Sequence, residues 1–244
     1  MTGQDWQTGW YGKVPCTGDF IRSGLSAGFI SSLDLWLQRL MTTGREVLED
    51  RWLSAYMTAP IWRFSTAAGV LGHVPCAGVI MPSVDRVGRQ FPLCLAVEFP
   101  NAPAQADPCV AYRSLEPFFP ALEDAALVML DDGASLDLLD ERVKRLREMP
   151  TEGILEGALE PNDLKQTRSV LKKTRCGEDT LLLREEGLFP QRLDPSNTCL
   201  WVSAYEGLER VILTPGLPEG PDLAAAFFDL DAGCWQRPDP SALI

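Results

Sequence analysis

Between Pro82 and Leu93, three charged residues crowd one short loop behind an apolar run: Asp85, Arg86 and Arg89, with Ser83 at the loop's start and Gly88 between the arginines. A guanidinium presents a planar fork that holds a carboxylate or a phosphate through paired N–H bonds. Two roles are open to such a group. Arg86 and Arg89 can dock an acid or phosphate on a partner. Alternatively, Asp85 pairs with one arginine and ties the loop to Asp19 or another internal acid, a latch of the kind that commonly fixes loops. Gly88 suits a tight turn with positive φ.

Other chemistry lacks its residues. The single histidine, His73, sits between Gly72 and Val74 with no G-x-S-x-G elbow in the chain, so histidine-based acid–base or triad chemistry has no support. His73 reads as a loop residue between strands. Seven cysteines without a close pair, and one histidine, do not make the usual zinc site. Neither phosphate-binding glycine pattern, G-x-x-x-x-G-K-[ST] or G-x-G-x-x-G, is present. The acidic pairs Asp131-Asp132 and Glu185-Glu186 read as solvated faces. No catalytic, cofactor or metal residue is assigned, and the chain is expected not to be an enzyme.

Composition narrows the partners. The formal net charge is −12 and the basic residues are scattered apart from Lys172, Lys173 and Arg175, so a nucleic-acid footprint is not expected. The cysteines read as reduced, mostly buried small hydrophobes, which points to the cytoplasm. The N-terminus shows no signal-peptide pattern, and no apolar run approaches the ~20 residues needed to cross a bilayer. Membrane insertion is not expected.

The elements that must position the loop follow from periodicity. Strands are expected over Trp10–Val14, Ile61–Thr66, Ala77–Met81, Phe91–Phe99, Thr180–Leu183, Thr198–Ala204 and Arg210–Leu213. Apolar residues from Phe29 to Met41 share a helical face over 26 to 42, with Ser26 as N-cap and Gly44 as stop. A second amphipathic piece runs to Ala59-Pro60. Cys109 to Met129 reads as helical and split by Pro117 and Pro120. Further helices are expected over Ser135–Glu148, Leu164–Lys173 and Asp222–Leu230, with a boundary or loop over 150 to 162. Blocks of strands alternating with blocks of helices suggest the α/β class, a three-layer αβα sandwich with a central mixed sheet. A segregated α+β arrangement is the alternative. One domain spans 1–244, with a motif-bearing core over 8–100 and a helical cover and further strands over 101–244. Trp10, Tyr11, Trp36, Trp52 and Trp62 read as core. Trp6 and Trp235, if exposed, suit contact with a partner.

Three blocks combine into a longer pattern: Gly9-Trp10-Tyr11-Gly12-Lys13-Val14-Pro15-Cys16-Thr17-Gly18-Asp19-Phe20, then Ala59-Pro60-Ile61-Trp62-Arg63-Phe64, then Pro82-Ser83-Val84-Asp85-Arg86-Val87-Gly88-Arg89-Gln90-Phe91-Pro92-Leu93. In order and spacing they resemble the N-terminal domain of the TagF family of type VI secretion accessory proteins, over residues 8 to about 100. Leu200-Trp201 adds weaker support, and Cys16 departs only where the family varies. The resemblance implies a cytoplasmic repressor of type VI secretion. It would act after translation by protein–protein binding, opposing the threonine-phosphorylation pathway through the system's forkhead-associated scaffold protein. Some relatives carry a fused phosphatase domain; none is expected before Ile244. The remaining alternatives are a hydrolase of phosphorylated components using Asp85 and Arg86, and a structural part of the secretion machine. The candidate contact or latch residues are Asp19, Ser83, Asp85, Arg86 and Arg89.

Overall fold

Short hairpin connections dictate the sheet. β1 (Gln7–Gly12), β2 (Ile21–Ser23), β3 (Trp62–Thr66), β4 (Cys76–Met81) and β5 (Leu93–Glu98) come from the first hundred residues of the computed structural model. It describes residues 6–102, 106–148, 170–173, 181–185, 195–205 and 208–235. The later strands are β6 (Val170–Lys173), β7 (Leu181–Glu185), β8 (Thr198–Tyr205) and β9 (Leu208–Pro215). Together they form a nine-stranded sheet in the order β2-β1-β5-β4-β3-β8-β9-β7-β6.

Every pairing among the described residues is antiparallel, which corrects the expected mixed sheet. Parallel neighbours need a crossover of a dozen or more residues, whereas β3, β4 and β5 follow one another through shorter loops and must fold back. The class is α/β, with helices packed on a continuous sheet.

The helices are α1 (Ala27–Leu48), α2 (Trp52–Met57), α3 (Pro108–Ser114), α4 (Phe119–Leu127), α5 (Leu136–Arg147) and α6 (Pro221–Phe228). Ser26 caps α1 by accepting the Phe29 N–H, and buried Glu98 on β5 accepts both the Ser26 N–H and its hydroxyl at 2.6 Å. This fixes where the long helix starts against the sheet. Gly44 does not stop α1, which runs on to Leu48. A Cβ at Gly44 would stand 2.7 Å from the Trp52 ring and 2.9 Å from that of Phe228, so the glycine serves close approach between elements.

Pro117 lies in a 3-10 turn that separates α3 from α4, and Pro120 falls in the first turn of α4, where its missing N–H costs nothing. Ser135 caps α5. Val170–Lys173 is a strand, not the end of a helix; the rest of that expected helix and the 150–162 boundary lie outside the described residues. β2 is a strand that no pattern signalled.

β4 and β5 are buried along their whole length, which explains their continuous apolar runs. One face of the sheet packs Trp62, Phe64, Cys94 and Trp201 with Trp36 of α1 and Phe227 of α6. The other packs Trp10, Leu93 and Leu95 with Leu122 of α4 and Val143 of α5. Trp10, Tyr11, Trp36, Trp52 and Trp62 are core, as their patterns imply. Trp6 and Trp235 are half-buried, packed on Phe99 and on Trp62. No helix among the described residues is long and apolar enough to cross a membrane.

Candidate functional site

Strand direction brings the site together. β1 runs antiparallel to β5, with Tyr11 opposite Cys94, so the end of β1 meets the start of β5. The loop after β1, residues 13–20, therefore lies beside the β4–β5 hairpin loop, residues 82–92. Gly12 permits the approach: its φ is +143°, and a Cβ there would stand 2.1 Å from the Pro92 carbonyl oxygen.

Within the hairpin, Val84 bridges Gln90, and Gly88 donates to the Asp85 carbonyl at 2.8 Å, closing a turn over Arg86 and Val87. Gly88 takes φ +83°. The Asp85 carboxylate organises this turn from inside. It accepts the N–H groups of Val87 at 3.1 Å and Arg89 at 2.9 Å, the Arg89 Nε at 2.6 Å and the Lys13 Nζ at 3.0 Å. The side chain of Asp85 has 0% exposed surface and that of Lys13 has 9%. Burial by itself raises the Asp85 pKa; the Arg89 N–H, Lys13, the Arg89 guanidinium and the Val87 N–H outweigh it and hold the group well below the usual carboxylate range.

The two loops are stitched by backbone as well. The Arg86 N–H donates to the Thr17 carbonyl at 2.7 Å, and an Arg89 terminal nitrogen donates to the Gly18 carbonyl at 2.6 Å. Below the hairpin, the Tyr56 hydroxyl of α2 donates to the Ser83 carbonyl at 2.7 Å, and the Trp52 indole donates to Gln90 at 2.7 Å. Phe20 stacks on Tyr11 and meets Phe91 edge to face, with Lys13 Nζ 4.9 Å from its ring centre.

Each expected site residue has a definite place. Asp85 and Arg89 form the ion pair of a latch. Ser83 is buried in the footing above Tyr56. Asp19 is exposed, and its carboxylate accepts its neighbour Phe20's N–H at 2.8 Å rather than an arginine, so the tie from hairpin to loop ends on backbone carbonyls and Lys13 instead. Arg86 is exposed, and its guanidinium has no hydrogen-bond or ion-pair partner among the described residues. Val87 beside it is 70% exposed. His73 is an exposed loop residue.

Lys13 and Tyr56 are the supports that sequence reasoning missed. For Lys13 the signal is a cation at the end of an apolar strand, flanked by Gly12 and Val14. A lysine buried there requires an acid. Nothing local names which acid, since Asp85 lies 72 positions away.

The motif blocks thus fall on β1, β3 and the hairpin that joins β4 to β5. The model of the TagF N-terminal domain, type VI secretion system-associated, matches residues 9–146. The crystal structure of PA0076 from Pseudomonas aeruginosa PAO1 is similar to this chain at 30% identity and a TM-score of 0.65, covering 92% of this chain and 94% of that one. A comparison with curated proteins returned no match. The chain belongs to the TagF family, and so to the proteins associated with type VI secretion.

Proposed function

We propose that the chain is a cytoplasmic repressor of type VI secretion that works by occupying a protein partner, the system's forkhead-associated scaffold, and so opposes the threonine-phosphorylation pathway. The observation that carries a binding role is the Arg86–Val87 turn. An unpaired guanidinium and a largely exposed aliphatic side chain stand on a loop held rigid from behind by Asp85, Lys13 and Tyr56. A backbone already fixed loses little freedom on docking, which favours affinity. Repression by occupancy follows mass action and rises with the chain's concentration relative to its dissociation constant.

Binding rather than catalysis also fits the state of Asp85. A hydrolase reading would need this carboxylate as nucleophile or base, yet its oxygens face four N–H donors and have no exposed surface.

The test is co-purification of the tagged chain with the scaffold from the bacterium that encodes both. A stoichiometric complex on gel filtration supports the reading. Separate elution of the two purified proteins at micromolar concentration contradicts it.

A further inference from the structure

Charge and exposure at the hairpin tip bear on the chemistry of a ligand there. Three cations meet there, but two are already committed. Lys13 is buried against Asp85. Arg89 has its Nε on Asp85 and a terminal nitrogen on the Gly18 carbonyl. Only Arg86 offers a free fork, on a backbone fixed by Thr17. A phosphate on a peptide carries close to two negative charges and three strong acceptor oxygens, and is held by clusters of arginines. One fork matches one carboxylate through two parallel N–H bonds.

Charge points the same way. Lys13, Arg86 and Arg89 share the tip and its adjoining loop with the acids Asp85 and Asp19, which leaves one positive charge in excess within a chain of formal net charge −12. A single carboxylate neutralises that excess. A dianion would overshoot it. Next to the fork, Val87 is 70% exposed, and Phe20, on the adjoining loop, is 43% exposed. Apolar side chains beside an isolated charge define a mixed contact.

We propose that the Arg86–Val87 turn recognises a carboxylate carried beside an apolar side chain on an acidic partner segment, and does so independently of phosphorylation. This rests on the binding role proposed above and names its ligand chemistry.

The test is isothermal titration calorimetry of the full chain with the purified forkhead-associated scaffold, the latter used as purified and after phosphatase treatment. The variants are Arg86→Ala, Arg86→Lys and Val87→Ser. Each changes an exposed side chain, and an unchanged melting temperature confirms folding. Arg86→Ala and Val87→Ser are expected to weaken binding about tenfold or more. Arg86→Lys is expected to restore little of the affinity lost in Arg86→Ala, because an ammonium lacks the fork. Phosphatase treatment is expected to leave the wild-type affinity unchanged. Wild-type binding that the variants share overturns the proposal while the regulatory reading stands. Binding that phosphatase abolishes overturns it in favour of a phosphopeptide. Absence of wild-type binding removes the partner itself, and the proposal with it.

Discussion

Lys13 Nζ lies 3.0 Å from the Asp85 carboxylate across 72 positions of sequence, and this contact joins the end of the first strand to the hairpin that carries the exposed arginine. The pair is nearly dry, and Arg89 shares the same oxygen at 2.6 Å. Removing the acid leaves Lys13 buried without a counter-charge, which is costly. Asp85→Asn is therefore expected to lower the melting temperature far more than Arg86→Ala, although the two positions are adjacent. Circular dichroism melts of both variants check this.

The same carboxylate sets a pH dependence. Its folded pKa is depressed, so its contribution to stability is fully present above its unfolded value of about 3.9 and is lost as pH falls through the folded value. The gap in urea midpoint between wild type and Asp85→Asn is expected to stay constant from about pH 7 to about pH 5 and to narrow below about pH 4. A gap that widens on acidification contradicts the assignment.

Two glycines of the same helix should respond with opposite sign. Gly44→Ala sets a Cβ 2.7 Å from the Trp52 ring, whereas a Cβ at Gly28 meets nothing within 4 Å. Overpacking costs about 1–3 kcal/mol and exceeds the gain of about 1 kcal/mol in helix propensity, so Gly44→Ala is expected to be net destabilising. Near a net 1 kcal/mol, the melting temperature falls about 2–4 °C in a chain of this size. Gly28→Ala is expected to raise it slightly, because the added methyl stands in open space. Calorimetric scans of the two proteins decide the matter.

Arg63 of β3 holds Glu123 of α4 through two bonds of 2.7 Å, with side chains 21% and 23% exposed. This fork, half out of water, is expected to show a coupling of about 1–2 kcal/mol in a double-mutant cycle of Arg63→Ala and Glu123→Ala. A coupling near zero would mean that α4 is held on the sheet by its apolar face alone.

Thiol reactivity should follow burial. Burial pushes the Cys76 thiol up to about 12 and raises Cys94, Cys109 and Cys199 as well, whereas Cys16 is only half-buried in the loop after β1. In a Cys176→Ser background, brief maleimide labelling of the native protein is expected to modify Cys16 while sparing those four. Peptide mass spectrometry locates the label. Rapid modification of Cys76 would show that β4 opens readily.

Local patterns carried much of this architecture. Ser135 before an apolar 3.6-residue period defined α5, and continuous apolar runs defined β4 and β5. Asp85, Arg86 and Arg89 announced a charged loop because they are neighbours in sequence. What local patterns lacked was non-local. β2 has only three residues, too few for alternation to register. Gly44 looked like a helix stop because the rings that require it come from Trp52 and Phe228. Lys13 and Tyr56 support the hairpin from other elements, and only the fold brings them to it.

The most direct test of the central claim is made in cells. Release of a type VI substrate into the medium is measured while the wild-type chain, or its folded Arg86→Glu variant, is produced at equal levels in the bacterium that encodes it. Wild type is expected to suppress release, and Arg86→Glu is expected to leave it unchanged. Suppression by both would move the working contact away from the hairpin, and suppression by neither would contradict repression by this chain.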